Sequence, residues 1–350
     1  MKNKLILFIC CSLAFSLSAQ NFMYSLKLDY FFDNREYDTP YSDPQTLFGI
    51  RVSPAIGWKY VEPEGATHKI IGGVHYLQPI GSQINNAKFD PFVYYQYIHK
   101  GFNLHLGIVP YREMIQKLPL FVMSDSLSYL YPNIQGALFQ YQKGKSYVEL
   151  LCDWRGAQST TTREAFRIMM QGKYFWEHLS FGGITFLNHL ANKAPSEPKL
   201  GVCDDYFVSP SLGLHWSKIK ALDSLSFGVS YLFASTKERI TDTKKVGHGI
   251  EWDCFVKWKF LAIQNSFYLG NNLLPFYHKY HSGLHLGDPF YQATRYNRTS
   301  LILYLIQKQF IHCQFSWNLH VTKGNPLGHQ QLLTVYFNLD QLNIKTKTAL

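Results

Sequence analysis

The sequence predicts an all-β fold: a closed antiparallel transmembrane β-barrel of about sixteen strands, with fourteen as the alternative count. Three observations predict it. Apolar and polar residues alternate along most of the chain, the period of a strand with one greasy and one wet face. Aromatic residues flank aliphatic ones along the greasy faces, as at the two edges of a bilayer. The connections between alternating runs are long and short by turns, the asymmetry of a barrel with long outer loops and tight turns on the other side.

The first run shows the device. From Phe22 to Asp33, one face carries Phe22, Tyr24, Leu26, Leu28, Tyr30 and Phe32, while the other carries Lys27, Asp29 and Asp33. A second run, Thr46 to Tyr60, puts Phe48, Ile50, Val52, Ile56, Trp58 and Tyr60 on one face and Arg51 and Lys59 on the other. Pro54 lies within it and predicts a local bulge, because proline cannot donate to the ladder. Alternating runs then recur near 69–78, 89–99, 102–109, 134–141, 146–154, 164–171, 179–189, 206–216, 225–233, 248–260, 263–271, 294–306, 310–321 and 331–339. Between them, long connections such as 34–45, 110–133 and 272–293 alternate with short ones such as Lys100-Gly101 and 142–145.

Residues 1–19 read as a secretory signal, with Lys2 and Lys4 ahead of an apolar stretch too short to span a bilayer. The barrel is expected over 20–340, and a polar tail, 341–350, as a short periplasmic end. The chain has 34 Lys and Arg against 24 Asp and Glu, but the basic residues are scattered among aromatics. No nucleic-acid motif accompanies them, so no nucleic-acid partner is expected. Anionic lipopolysaccharide, outer-membrane lipid and small solutes fit better, with any surface or periplasmic protein partner unspecified. Cys152, Cys254 and Cys313 fall on apolar strand faces and, with Cys203, read as small hydrophobes rather than a disulfide framework.

On this architecture the chain resembles an outer-membrane β-barrel, porin-like, of Gram-negative bacteria. The stretches FFDNREY (Phe31 to Tyr37), DWRGAQSTTTRE (Asp153 to Glu164) and LGDPFY (Leu286 to Tyr291) are similar to those of poorly characterised exported barrels. The resemblance implies residence in the outer membrane and carries over no catalytic role. Phe337 closes the last strand, where such barrels carry their terminal aromatic.

Charge on inward positions is the most informative chemistry. Lys27, Asp29, Arg51, Lys59, Lys69 and Asp90 are expected on lumen faces, as are Glu149, Asp153, Arg167, Glu251, Asp253, Lys257 and Lys259. Mixed charges can line an aqueous pore, or pair and plug it. The connection 110–133 is unusually apolar for an outer loop, with Leu118, Leu120, Phe121 and Val122. It is expected to fold inward, with Arg112, Glu113, Lys117 and Asp125 at a constriction; a flap over the mouth is the alternative. Arg35, Glu36, Arg155 and Arg163 are candidates to bind an anionic or sugar ligand outside, or else a loop salt-bridge network.

His278, His281 and His285 are spaced as on one helical face, but Pro275 and Gly283 break that pattern, and they read as polar loop residues. No metal site and no cofactor are expected. Glu149 and Asp153 lie about 13 Å apart on an extended strand, too far for paired-carboxylate glycoside cleavage. Glu251 and Asp253, about 7 Å apart, read as pore lining. His248 is the one weak outer-wall candidate for lipid hydrolysis. The sequence therefore points to a non-enzymatic pore for small polar, including anionic, solutes, narrowed by 110–133. A non-conducting docking barrel is the second reading and a lipid- or glycan-acting enzyme the third.

Overall fold

A computed structural model describes residues 21–340 except 198, 199 and 220. The expected signal segment and C-terminal tail lie outside the described residues. The chain forms sixteen antiparallel strands: β1 (Phe22–Glu36), β2 (Gln45–Val61), β3 (Thr67–Pro79), β4 (Lys88–His99), β5 (Phe102–Pro110), β6 (Asn133–Lys143), β7 (Ser146–Gly156), β8 (Ala165–Trp176), β9 (Leu179–Leu190), β10 (Cys203–Ile219), β11 (Leu222–Glu238), β12 (Thr243–Trp258), β13 (Leu261–Gly270), β14 (Arg295–Gln307), β15 (Ile311–Thr322) and β16 (Gly328–Asp340). Each pairs with its sequence neighbours, and β1 closes on β16 from Ser25↔Asp340 to Glu36↔His329. Closure leaves no open edge, and no helix among the described residues is long and apolar enough to cross a membrane. This is an outer-membrane barrel, and strands make the crossing.

Alternation sets the two surfaces. Ile70 is 62% exposed on the outer wall while Ile71, the next residue, is buried. Leu26 and Val229 likewise face outward. Tyr174, Trp176, Trp258, Phe260 and Phe310 form an exposed aromatic rim at the short-turn end. The hairpins there are tight: Lys100 (φ 45°) and Gly101 (φ 86°) both adopt the left-handed backbone that a two-residue turn requires. At Gly101 a Cβ would lie 2.6 Å from the Gln142 carbonyl oxygen. The pairing Val52↔Tyr76 resumes at Ala55↔Gly73 in the same register, so the bulge expected at Pro54 is absent. Proline's missing donor costs pairing there without adding a residue. Register shifts occur instead between Trp154 and Gly156 and between Tyr304 and Ile306. Cys152, Cys203, Cys254 and Cys313 are free thiols.

The hydrophobic core lies inside the barrel. It joins wall residues such as Val109, Ile134, Phe207 and Tyr268 to residues of two connections that enter the lumen. One is 111–132, carrying helix α1 (Asp125–Leu130); the other is 271–294, carrying the short α2 (Tyr277–Tyr280).

Candidate functional site

The candidate site is the lumen where these two loops meet the wall. The 111–132 loop is tied down by buried carboxylates. Glu149 accepts from the backbone N–H of Ile115 at 2.7 Å and from the side-chain amides of Gln140 and Gln171, both at 2.7 Å. Asp153 accepts from Tyr111 Oη at 2.7 Å and the N–H of Gln135 at 2.8 Å. A carboxylate fully supplied with donors can remain buried. Arg167 is buried against the loop, donating Nε–H to Asn188 at 2.6 Å and stacking on Phe186. Arg51 donates to the Tyr129 carbonyl oxygen, and the Tyr129 ring stacks on Phe31 at 4.3 Å.

Asp125 is the loop's main charge contact. Its carboxylate lies 2.9 Å from Arg298 Nη2 on β14 and 3.4 Å from Lys117 Nζ. Burial acts to raise its pKa, but Arg298, then Lys117 and Arg35, outweigh burial and hold the carboxyl below the usual range. Lys117 itself is open to the lumen, whereas Arg112 sits 3.9 Å from Glu113.

The second loop went unread in the sequence. It binds the first through two backbone hydrogen bonds, Ser124 N–H to Leu286 O and Asp288 N–H to Leu120 O, both at 2.8 Å. Tyr291 packs edge-on against Phe121 and donates its hydroxyl to Glu251. Its apolar residues Leu273, Leu274, Leu284, Leu286 and Phe290 are buried. They carried the same signal as the first loop, masked by the neighbouring His278, Lys279 and His281. His285 donates Nε2–H to the Pro275 carbonyl oxygen at 2.6 Å and lies 3.5 Å from Asp205. No cluster of metal-ligand type occurs among the described residues.

The remaining predicted residues divide by place. Lys27 pairs with Asp340 at 3.0 Å, and Asp29 lies opposite Arg51 across β1 and β2. Lys59 lies opposite Lys69, and Asp90 opposite His75. Asp253 accepts from Ser266 Oγ at 2.5 Å, and Lys257 sits over the Tyr304 ring at 4.3 Å. Lys259 is not on the lumen wall: β12 ends at Trp258, and Lys259 turns the corner at φ 51°. Extending the alternation past the turn misplaced it.

Among the outer candidates, Arg35 forks onto Asp33, and Glu36 accepts from Asn34 at 2.9 Å. Arg155 donates to the carbonyl oxygens of Ser282 and Gly283 at 3.0 and 3.1 Å, and Arg163 donates to those of Ala191 and Gly201. These arginines fasten loops to one another.

Beneath the two loops lies a cavity of about 530 Å³. It reaches from Leu118, Pro119 and Phe121 of the first loop to the lumen faces of β8–β15. A smaller one of about 320 Å³ lies between the same loop and the charged wall at Asp29, Arg51 and His75.

One further cluster lies on the outer wall. Across β7 to β12, the outward positions Trp154, Phe166, His189, Asp204, Lys237 and Lys244 are successive cross-strand partners near the long-loop end. His189 Nδ1 lies 2.6 Å from Asp204 Oδ1, and Arg239 holds Asp204 Oδ2 at 2.8 Å. His248 sits on the same face, with its ring 6.5 Å from Tyr231.

Solved structures share the fold. OpdL of Pseudomonas aeruginosa matches with a TM-score of 0.55 and 10% identity, over 92% of this chain and 99% of that one. A loop-L8 deletion mutant of OmpT, an outer membrane protein of Vibrio cholerae, matches with a TM-score of 0.55 and 8% identity, over 91% and 99%. A double mutant of the Rh. blastica porin matches with a TM-score of 0.51 and 8% identity, over 91% and 100%. No curated protein matches the sequence. The model of the lipid A 3'-O-deacylase-type family matches residues 16–350, practically the whole of the barrel, and the chain belongs to that family.

Proposed function

We propose that the protein is an outer-membrane pore for small polar solutes, with a lumen narrowed by 111–132 and again by 271–294. The observation that carries this reading is the path of the first loop. It enters the barrel and is pinned at Glu149, Asp153 and Arg298, instead of lying across the mouth. Wall charges of both signs, and cavities on either side of that loop, support a hydrated path. Likeness in fold to the Rh. blastica porin supports it too. Purified full-length protein in planar bilayers is expected to give steady, salt-dependent current. A folded barrel that stays silent overturns the pore and leaves a docking barrel.

The outer-wall cluster and the family favour a second reading: an enzyme acting on a lipid ester in the outer leaflet. Asp204 holds Nδ1–H of His189, so Nε2 is available to take a proton from water. That water adds to an ester carbonyl, the acyl C–O bond breaks, and the proton passes to the departing alkoxide, releasing a fatty acid and an alcohol. Lys237 and Lys244 lie beside it for an anionic headgroup. Mass spectrometry of lipid A vesicles incubated with the protein tests this reading. Loss of an acyl chain that is abolished in His189→Ala supports it, and an unchanged lipid overturns it.

A further inference from the structure

The two sides of the lumen differ in chemistry. The wall at β1–β3 carries charged side chains, Lys27, Asp29, Arg51 and Lys69. The wall around the larger cavity is built of small ones: Ser209, Ser211 and Gly213 on β10, and Ser226, Gly228 and Ser230 on β11. They face one another in register, with Ser211↔Ser230 and Gly213↔Gly228 directly paired. Small side chains at successive inward positions leave space that the first loop does not fill, and this accounts for the cavity. Ser300 on β14 and Ser316 on β15 continue the hydroxyl surface.

Among the described residues, none of Ser209, Ser211, Ser226, Ser230, Ser300 and Ser316 hydrogen-bonds through its hydroxyl to another protein group. Charged groups reach the cavity at its edges: Asp253 accepts from Ser266, Lys173 lies 6.0 Å from the centre of the Phe175 ring, and Lys117 of the first loop lies 3.4 Å from Asp125. Phe255 lies opposite Ser226 and Gln264, an apolar plate between polar neighbours.

We propose that this cavity is a binding site for a polyhydroxylated solute of the carbohydrate class. A serine hydroxyl both donates and accepts, so a wall of them exchanges hydrogen bonds with a sugar in several orientations. The face of Phe255 suits the C–H side of a sugar ring. The inference rests on the pore reading only for the route by which solute arrives.

The test uses full-length protein with maltotriose as the probe. Calorimetry on the detergent-solubilised barrel is expected to show maltotriose binding. Ser211→Ala/Ser230→Ala is expected to weaken maltotriose by about threefold to tenfold, the scale of lost neutral hydrogen bonds. Ser211→Leu/Ser230→Leu, which fills the space, is expected to abolish binding. Heat-modifiable gel mobility confirms that each variant is folded. Current without maltotriose binding or block overturns the site and leaves the pore intact. Binding without current sustains the site and overturns the pore. Equal binding by wild type and the alanine variant overturns the site.

Discussion

Arg298 reaches from the wall at β14 to Asp125 of the inward loop, with 2.9 Å between Nη2 and Oδ2. The two residues are 173 positions apart in sequence. The contact fixes the loop's α1 segment against the wall, and both groups are largely shielded from water. Removing one member of such a pair strands the other in a low-dielectric site.

Arg298→Ala is therefore expected to destabilise the folded barrel by about 3 kcal/mol, the usual scale for a broken buried pair. Urea unfolding followed by heat-modifiable mobility measures the loss. In bilayers the same variant is expected to show larger and noisier current than wild type. Unchanged stability and conductance would mean that the pair restrains nothing.

The pH response of this contact has a definite sign. The Asp125 carboxyl is held below the usual range, so its contribution is fully present above the unfolded value of about 4 and is lost as pH falls through the folded one. Asp288 behaves in the opposite way: burial raises it, and the Phe290 N–H, Arg298 and Arg35 offset burial only in part. Its contribution is present below the unfolded value and is lost as pH rises through the raised one. Acidification from neutrality to about pH 5 should thus leave the Asp125 contact closed, with loosening only below about pH 4. Hydrogen exchange at the amides of Ser124 to Leu127 reads this, and loosening already at pH 5 would contradict it.

Glu149 holds three elements together, the first loop, β6 and β8. Glu149→Ala leaves the Ile115 N–H and two buried amides short of an acceptor, at about 1–3 kcal/mol for each group stranded. Exchange at Ile115 should accelerate strongly while exchange on the far wall, at β12, stays slow. Equal acceleration everywhere would point to global unfolding instead of release of the loop.

The thiols report the two faces of the wall. Cys254 and Cys152 lie at outward positions, partly exposed, and Cys203 is fully buried. A membrane-soluble maleimide is expected to label Cys152 and Cys254 in the folded barrel and to spare Cys203 until denaturation. Early labelling of Cys203 would show that the outer end of β10 is open.

The barrel was legible because each strand carries its own period, and loop rhythm repeats the message independently. The strand from Leu225 shows both faces without outside help. The first loop betrayed its inward path because Leu118, Phe121 and Val122 are costly to leave in water. Residues that depend on register were not legible. His189 and Asp204 are 15 positions apart, and only the pairing of β9 with β10 makes them neighbours. Arg298 gave no hint of Asp125, since nothing local couples them. The serine and glycine wall was hidden for another reason: small residues weaken a strand signal, and the space they leave exists only once the ring has closed.

The two loops that join in the lumen arise from the β5–β6 and β13–β14 connections, halfway round the ring from each other. Their link through Ser124 and Leu286 therefore runs across a diameter. A hoop of staves resists stretching but yields readily to squeezing into an oval. A spoke across the middle opposes that squeeze, so the crossing loops keep the outline round while the lipid around it presses unevenly.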